Sequence, residues 1–165
     1  MANLAGTVNL QVSLTDTLPV GATRLTAYPV PAKPADASIA YSNGTGANQG
    51  QKFYMTSQTA TAAVVDTDLT AVVCSDGTTG FTNFRELVIY NDHATANLTF
   101  GLGTNPVTSL FMGGTTPTLI IAPGGVFRHT VPLGANGLVI SGTAKVARVD
   151  PGAATVPFRM IVVGN

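Results

Sequence analysis

The chain has 165 residues, and eight basic residues balance eight acidic ones, so its formal net charge is zero. Only 10% of it is charged, against roughly 25% in ordinary soluble domains. Eight Lys and Arg scattered without a cluster build no basic stripe, which excludes a nucleic-acid surface of the phosphate-neutralising kind.

Val8, Leu10, Val12 and Leu14 alternate with polar residues and predict a strand with one buried face. A turn over Asp16 to Gly21 follows, then a short second strand at Arg24 to Tyr28. From Pro29 to Gly50 three prolines forbid a regular ladder, and Ser42 to Gly50 adds glycines with nothing to bury. Residues 29–50 are therefore expected to form a long loop or an extended arm laid on a neighbour. Lys52 to Thr61 predicts another strand, with Phe53 and Met55 on one face. Thr61 to Cys74 fits a strand or a short helix, and its β-branched residues favour the strand.

Asp76-Gly77 and Thr79-Gly80 mark a turn before Glu86 to Tyr90, a strand buried on both faces. Leu98, Phe100 and Leu102 alternate beyond Asn91 to Ala96, so the two runs are expected to form a hairpin. Gly103 to Pro117 is a loop interrupted by Leu110-Phe-Met112. From Thr118 onward, apolar runs alternate with Pro-Gly-Gly, Pro-Leu-Gly-Ala-Asn-Gly and Asp-Pro-Gly turns. The last run places Val156, Phe158, Met160 and Val162 on one face. No amphipathic helix is predicted, and Glu86 is the only Glu. Eight to ten short strands predict an all-β antiparallel sandwich of jelly-roll type, one domain over residues 1–165. Its core is expected to contain Leu87, Ile89, Phe100, Leu119, Ile121, Phe127, Ile140, Phe158 and Met160.

Candidates for chemistry are few. Asn91-Asp92-His93 sets a carboxylate beside an imidazole, as a base and its orienting group require, yet Asn and Asp equally favour a turn there. His129 could join His93 and an Asp at a metal, but distant histidines make no ligand signature. The glycines of Ser42 to Gly50 are misplaced for a phosphate loop, and a strand rather than a helix follows. Cys74 has no adjacent base or cation and reads as a small buried apolar residue. As the only Cys it excludes an intrachain disulfide. No catalytic, cofactor-binding or metal-binding residue is assigned, and no enzyme is expected.

The N-terminal residues lack a signal-peptide pattern and no apolar run reaches the length of a membrane span, so a cytosolic product without a membrane partner is expected. Asn43-Gly-Thr and Asn97-Leu-Thr would then carry no sugar. Scarce charge with zero net charge favours association with other copies or partners over a monomer coated by Thr, Asn and Ser.

Tyr41-Ser-Asn-Gly-Thr-Gly-Ala-Asn-Gln49, followed by Lys52-Phe53-Tyr54, resembles a segment of small virion structural proteins of tailed bacteriophages and prophages. Leu87 to Asn91, Ala122-Pro-Gly-Gly-Val-Phe127, Pro132-Leu-Gly134, Leu138 to Ile140 and Met160 to Gly164 follow in the family's order. The Pro29 to Pro34 segment departs from that pattern. The resemblance implies a virion protein made in the host cytoplasm, with other copies and the major capsid protein as partners. A head decoration subunit is the expected role, with a neck, tail or receptor- or carbohydrate-binding component as the alternative. It implies no catalytic residues.

Overall fold

β-Branched and aromatic residues in strand-length runs, cut by Gly and Pro, leave little sequence able to form helix. The computed structural model accordingly is all-β, with two antiparallel sheets. It describes residues 8–9, 40–41, 50–74, 77–112, 117–131 and 137–165. The rest of the expected first strand, the Arg24–Tyr28 strand, most of the 29–50 segment and the Pro132-Leu-Gly134 turn lie outside the described residues.

A two-residue strand β1 (Val8–Asn9) pairs with β2 (Ala40–Tyr41). The remaining strands are β3 (Lys52–Thr61), β4 (Val65–Asp68), β5 (Asn83–Asn91), β6 (Leu98–Gly101) and β7 (Thr118–Ile121). β8 (Val126–Thr130), β9 (Leu138–Val139), β10 (Val146–Asp150) and β11 (Thr155–Gly164) complete the chain. One sheet runs β3-β11-β5-β8, with β9 also paired to β5, and the other runs β4-β10-β6-β7. β3 and β11 match over ten consecutive pairs, from Lys52↔Gly164 to Thr61↔Thr155.

The period of two decides what is buried. Val156, Phe158, Met160 and Val162 of β11 all enter the core, as their alternation predicts. Leu87 and Ile89 of β5 lie beside them in register, and Leu98, Phe100, Ala147 and Val149 enter from the other sheet. Of the nine expected core residues, seven are buried, while Leu119 and Phe127 are partly buried against the same cluster. The Phe100 and Phe127 rings lie 5.3 Å apart and join the two sheets. β5 is buried on both faces, which explains its unbroken apolar run.

Three local expectations change. Glu86–Tyr90 and Leu98–Gly101 do not form a hairpin, because β5 and β6 belong to different sheets and the chain crosses between them over residues 92–97. Of the Thr61–Cys74 segment, Thr61 closes β3 and Val65–Asp68 forms the one further strand; Ala62 adopts φ 50° and ends β3, and Asp68 caps a turn by accepting from the Thr70 N–H at 2.9 Å. Leu110-Phe-Met112 belongs to one helical turn, Ser109–Met112, in which the Met112 N–H donates to the Thr108 carbonyl at 2.9 Å. Phe53 and Met55 share a face of β3 as expected; that face is the outer one, and the inner row is Tyr54, Thr56, Gln58 and Ala60.

Asn91 organises the crossing between sheets. Its buried amide donates to the carbonyls of Ala96, Ile121 and Ala122 at 2.8–3.1 Å, while its oxygen accepts from the His93 N–H at 3.1 Å. One side chain thus ties the end of β5 to the end of β7.

Two stability outcomes follow. Phe158→Ala, at a fully buried position, is expected to cost about 3–5 kcal/mol in urea unfolding. Asn91→Ala is expected to cost about 3 kcal/mol by orphaning partly or fully buried carbonyls. Asn91→Asp should cost more near neutral pH, since a carboxylate would face those same oxygens without donating.

Candidate interaction surface

The face of the β3-β11-β5-β8 sheet turned away from the core is built by the odd residues of β3 and β11 and the even residues of β5 and β8. Register sets Met55, Ile161, Val88 and Arg128 in one cross-strand row, and Ser57, Arg159, Tyr90 and Val126 in the next. Its centre is closed: Val88 and Glu86 are fully buried, although neither points into the shared core. Its flanks are open and apolar, with Met55 62% and Val126 43% exposed.

The charges on this face are paired within the chain, although the second Glu86 carboxylate oxygen is buried without a hydrogen-bond partner. Arg159 forms a two-pronged pair with Asp92, both bonds 2.7 Å, and lies 4.5 Å over the Tyr90 ring. Burial pushes the Tyr90 hydroxyl pKa up. The Arg128 Nε donates to the buried Glu86 Oε1 at 2.6 Å. A carboxylate inside a hydrophobic β-run is tolerated because this partner stands one strand away.

The outer face of the other sheet follows the same rule. Arg148 donates through two nitrogens to Asp66 at 2.6 Å, and that hydrogen bond holds the Asp66 carboxyl below its ordinary pKa. Gly103 at φ +82° leaves room for the Arg148 guanidinium, which a Cβ there would meet at 2.4 Å. Lys145 pairs with Asp68 at 2.7 Å. Burial pushes the Asp68 pKa up, but bonds from Lys145 and Thr70 outweigh it and leave it lowered.

Among the described strands the edge of β3 differs from the other edges. The Ala62 N–H donates to the Ala154 carbonyl at 2.9 Å, and the Asp92 N–H to the Pro157 carbonyl at 3.0 Å. Antiparallel alternation then directs the even residues of β3 toward β11. Phe53, Met55, Ser57, Thr59 and Thr61 therefore aim N–H and C=O at the opposite edge. Among the described residues no strand pairs there, and no hydrogen bond reaches those groups. Met55, Ser57, Thr59 and Thr61 are exposed. Lys52 is the strand's only charge, and its Nζ donates to the Gly80 carbonyl at 2.6 Å.

The residues singled out for chemistry lie apart from this edge. The Asp92 carboxylate turns to Arg159 rather than to His93, whose Nδ1 accepts the backbone N–H groups of Thr95 and Ala96 at 3.0 and 2.8 Å. Asn91-Asp92-His93 is thus a turn held by its own side chains. His129 stands on β8, its ring 6.2 Å from Phe84 in an edge-on contact. Cys74 is buried near the carbonyls of Val72 and Gly80. The Ser42 to Gln49 segment lies outside the described residues. Among the described residues no three His, Cys, Asp or Glu gather as a metal site would need, and no helix is long and apolar enough to cross a membrane. Two signals escaped the sequence reading: the buried Glu86–Arg128 pair, and the edge position of β3. No family model, characterised protein or solved structure matches the chain.

His129 yields a pH dependence. Burial lowers its pKa from the ordinary 6.5, so the unfolded chain takes up the proton at higher pH than the folded one. The stability it contributes is complete above about pH 6.5 and is lost as pH falls below it. Urea midpoints measured between about pH 7.5 and about pH 5 should therefore fall, and His129→Phe should flatten that decline. An unchanged slope in the variant would assign the effect to another group.

Proposed function

We propose that this chain is a structural subunit of a tailed-bacteriophage particle, a head-associated decoration or cement protein that works by binding and catalyses no reaction. The observation that carries the reading is the surface. Four ion pairs, Glu86–Arg128, Asp68–Lys145, Asp66–Arg148 and Asp92–Arg159, pair eight of the eleven charged side chains among the described residues inside the subunit. Beside them lies a long uncharged edge that no strand among the described residues covers. Such a surface meets partners through apolar contact and backbone hydrogen bonds, as a tiled subunit does.

The strand order supports the same reading. Eight strands divide as β3-β11-β5-β8 and β4-β10-β6-β7, with the chain passing repeatedly from one sheet to the other. We assign this as a jelly-roll sandwich, an architecture that viral capsid and lectin domains both use. Fold alone does not choose between those uses. A sugar-binding site ordinarily offers an accessible aromatic platform, and none of the aromatic side chains with described burial is in the exposed class. The capsid use is therefore the reading retained. The partners are other copies of this chain and the major capsid protein, and the location is the virion.

A standard interface of about 1,600 Å², somewhat over half apolar, represents a gross gain of roughly 20 kcal/mol before the costs of association. Attachment should then depend weakly on salt. Particles of the encoding virus, washed at low ionic strength and at about 1 M salt, should retain the protein equally, as measured by quantitative immunoblot. Release in salt would overturn the apolar mechanism. Absence from the particles in both washes would overturn the virion assignment.

A further inference from the structure

We infer that β3 is a self-pairing edge: two copies of this chain join β3 to β3 antiparallel about a two-fold axis at Ser57. The inference stands on the geometry of β3 and does not require the virion reading.

Native sheets protect an exposed edge by shortness, by charge, by proline, by a bulge or by a covering segment. Among the described residues β3 uses none of these. It is ten residues long, keeps uninterrupted register with β11, contains no proline, and has one charge, Lys52, already engaged. The other outer strands are short: β4 and β7 have four residues each, and β8 has five. An edge that is long and unblocked on one strand alone points to a specific partner strand.

The partner is specified by complementarity. It must be extended over the same length, free of charge and open on one edge. A second copy of β3 meets all three requirements. An axis normal to the sheet brings residues i and j opposite each other with i + j constant, both pointing to the same face. Centring on Ser57 sets Ser57 against the partner's Ser57, Met55 against the partner's Thr59 and Phe53 against the partner's Thr61. Every one of the five outward N–H and C=O groups on each copy then finds a partner, which no other centre achieves. No like charges meet. Arg159, in register with Ser57 one strand inward, is already neutralised by Asp92. The exposed Met55 gains a cross-strand neighbour.

The test is register-specific cross-linking. Directly opposed residues in an antiparallel hydrogen-bonded pair lie about 5.5 Å apart at Cα, within disulfide range. Under mild oxidation Ser57→Cys should give a dimer that reductant dissolves. Met55→Cys and Thr59→Cys should each stay monomeric alone, while the double variant Met55→Cys/Thr59→Cys should cross-link. Sedimentation of the parent from micromolar to millimolar concentration should show a monomer–dimer equilibrium. Ser57→Lys should abolish it, and mixing Ser57→Lys with Ser57→Glu should restore it. Circular dichroism confirms that each variant is folded. A parent that stays monomeric throughout overturns the inference, as does a dimer that Ser57→Lys leaves intact or cross-linking through Met55→Cys alone. Particle binding is read separately in the salt wash, so failure here leaves that outcome distinct.

Discussion

The pairing of β11 is the constraint on which the rest of the structure depends. It lies between β3 and β5 and contributes Val156, Phe158, Met160 and Val162 to the core. A slip of one residue would bring Arg159 and Pro157 inward and expose Phe158, so the register is fixed by burial rather than by hydrogen bonding. The bond partners are distant in sequence, with Lys52 opposite Gly164. Closing so long a loop delays the reward of burial, and β-structures of this kind fold slowly for that reason. Where β11 meets β5 the register shifts between Val163 and Gly164, and a Cβ on Gly164 would come within 2.1 Å of the Asn83 carbonyl. The close approach of the two strands there requires glycine.

Charge placement follows from this frame. With so few charged residues, an unpaired charge would dominate its neighbourhood, and four ion pairs link adjacent strands or strand ends among the described residues. Exposed pairs of this kind contribute little stability. Their consequence lies in what they leave on the two outer sheet faces: charges that cancel in pairs. Glu86 is the exception in depth, being fully buried, and its value depends on Arg128 remaining in place.

Much of the architecture was legible because alternation reports burial directly. Leu87, Ile89, Phe158 and Met160 were readable as core from their spacing alone. What alternation does not report is the identity of the neighbour. Leu98 and Phe100 follow β5 after a turn, and a hairpin and a crossing to a second sheet have the same local pattern. The decision rests on the Asn91 amide, whose bonds to Ile121 and Ala122 involve residues some thirty positions away. Alternation put Phe53 and Met55 on one side of β3, but which side faces the core was not readable from it; Tyr54 and Ala60 hold the inner side. The interaction edge was illegible altogether, since whether a strand is central or outermost is a property of the assembled sheet.

The asymmetry between edges has a consequence for assembly. A sheet with two open edges invites indefinite addition of strands, the route to fibres. Here the sheet containing β3 ends on its other side in β8 and the two-residue β9, with Val139 61% exposed but only two residues of ladder. The second sheet ends in four-residue strands, one of which, β4, presents Asp66 and Asp68 to solvent. Growth at those edges would yield few hydrogen bonds and, at β4, would bury carboxylates. Pairing through β3 is isologous, so each copy consumes its long open edge in the act of joining, and the association closes at two. The outward-facing polar residues of β3, Ser57, Thr59 and Thr61, are uncharged and exposed. In the pairing inferred above such an edge is self-terminating, because each copy's long edge is consumed by the other and little ladder is left for further growth.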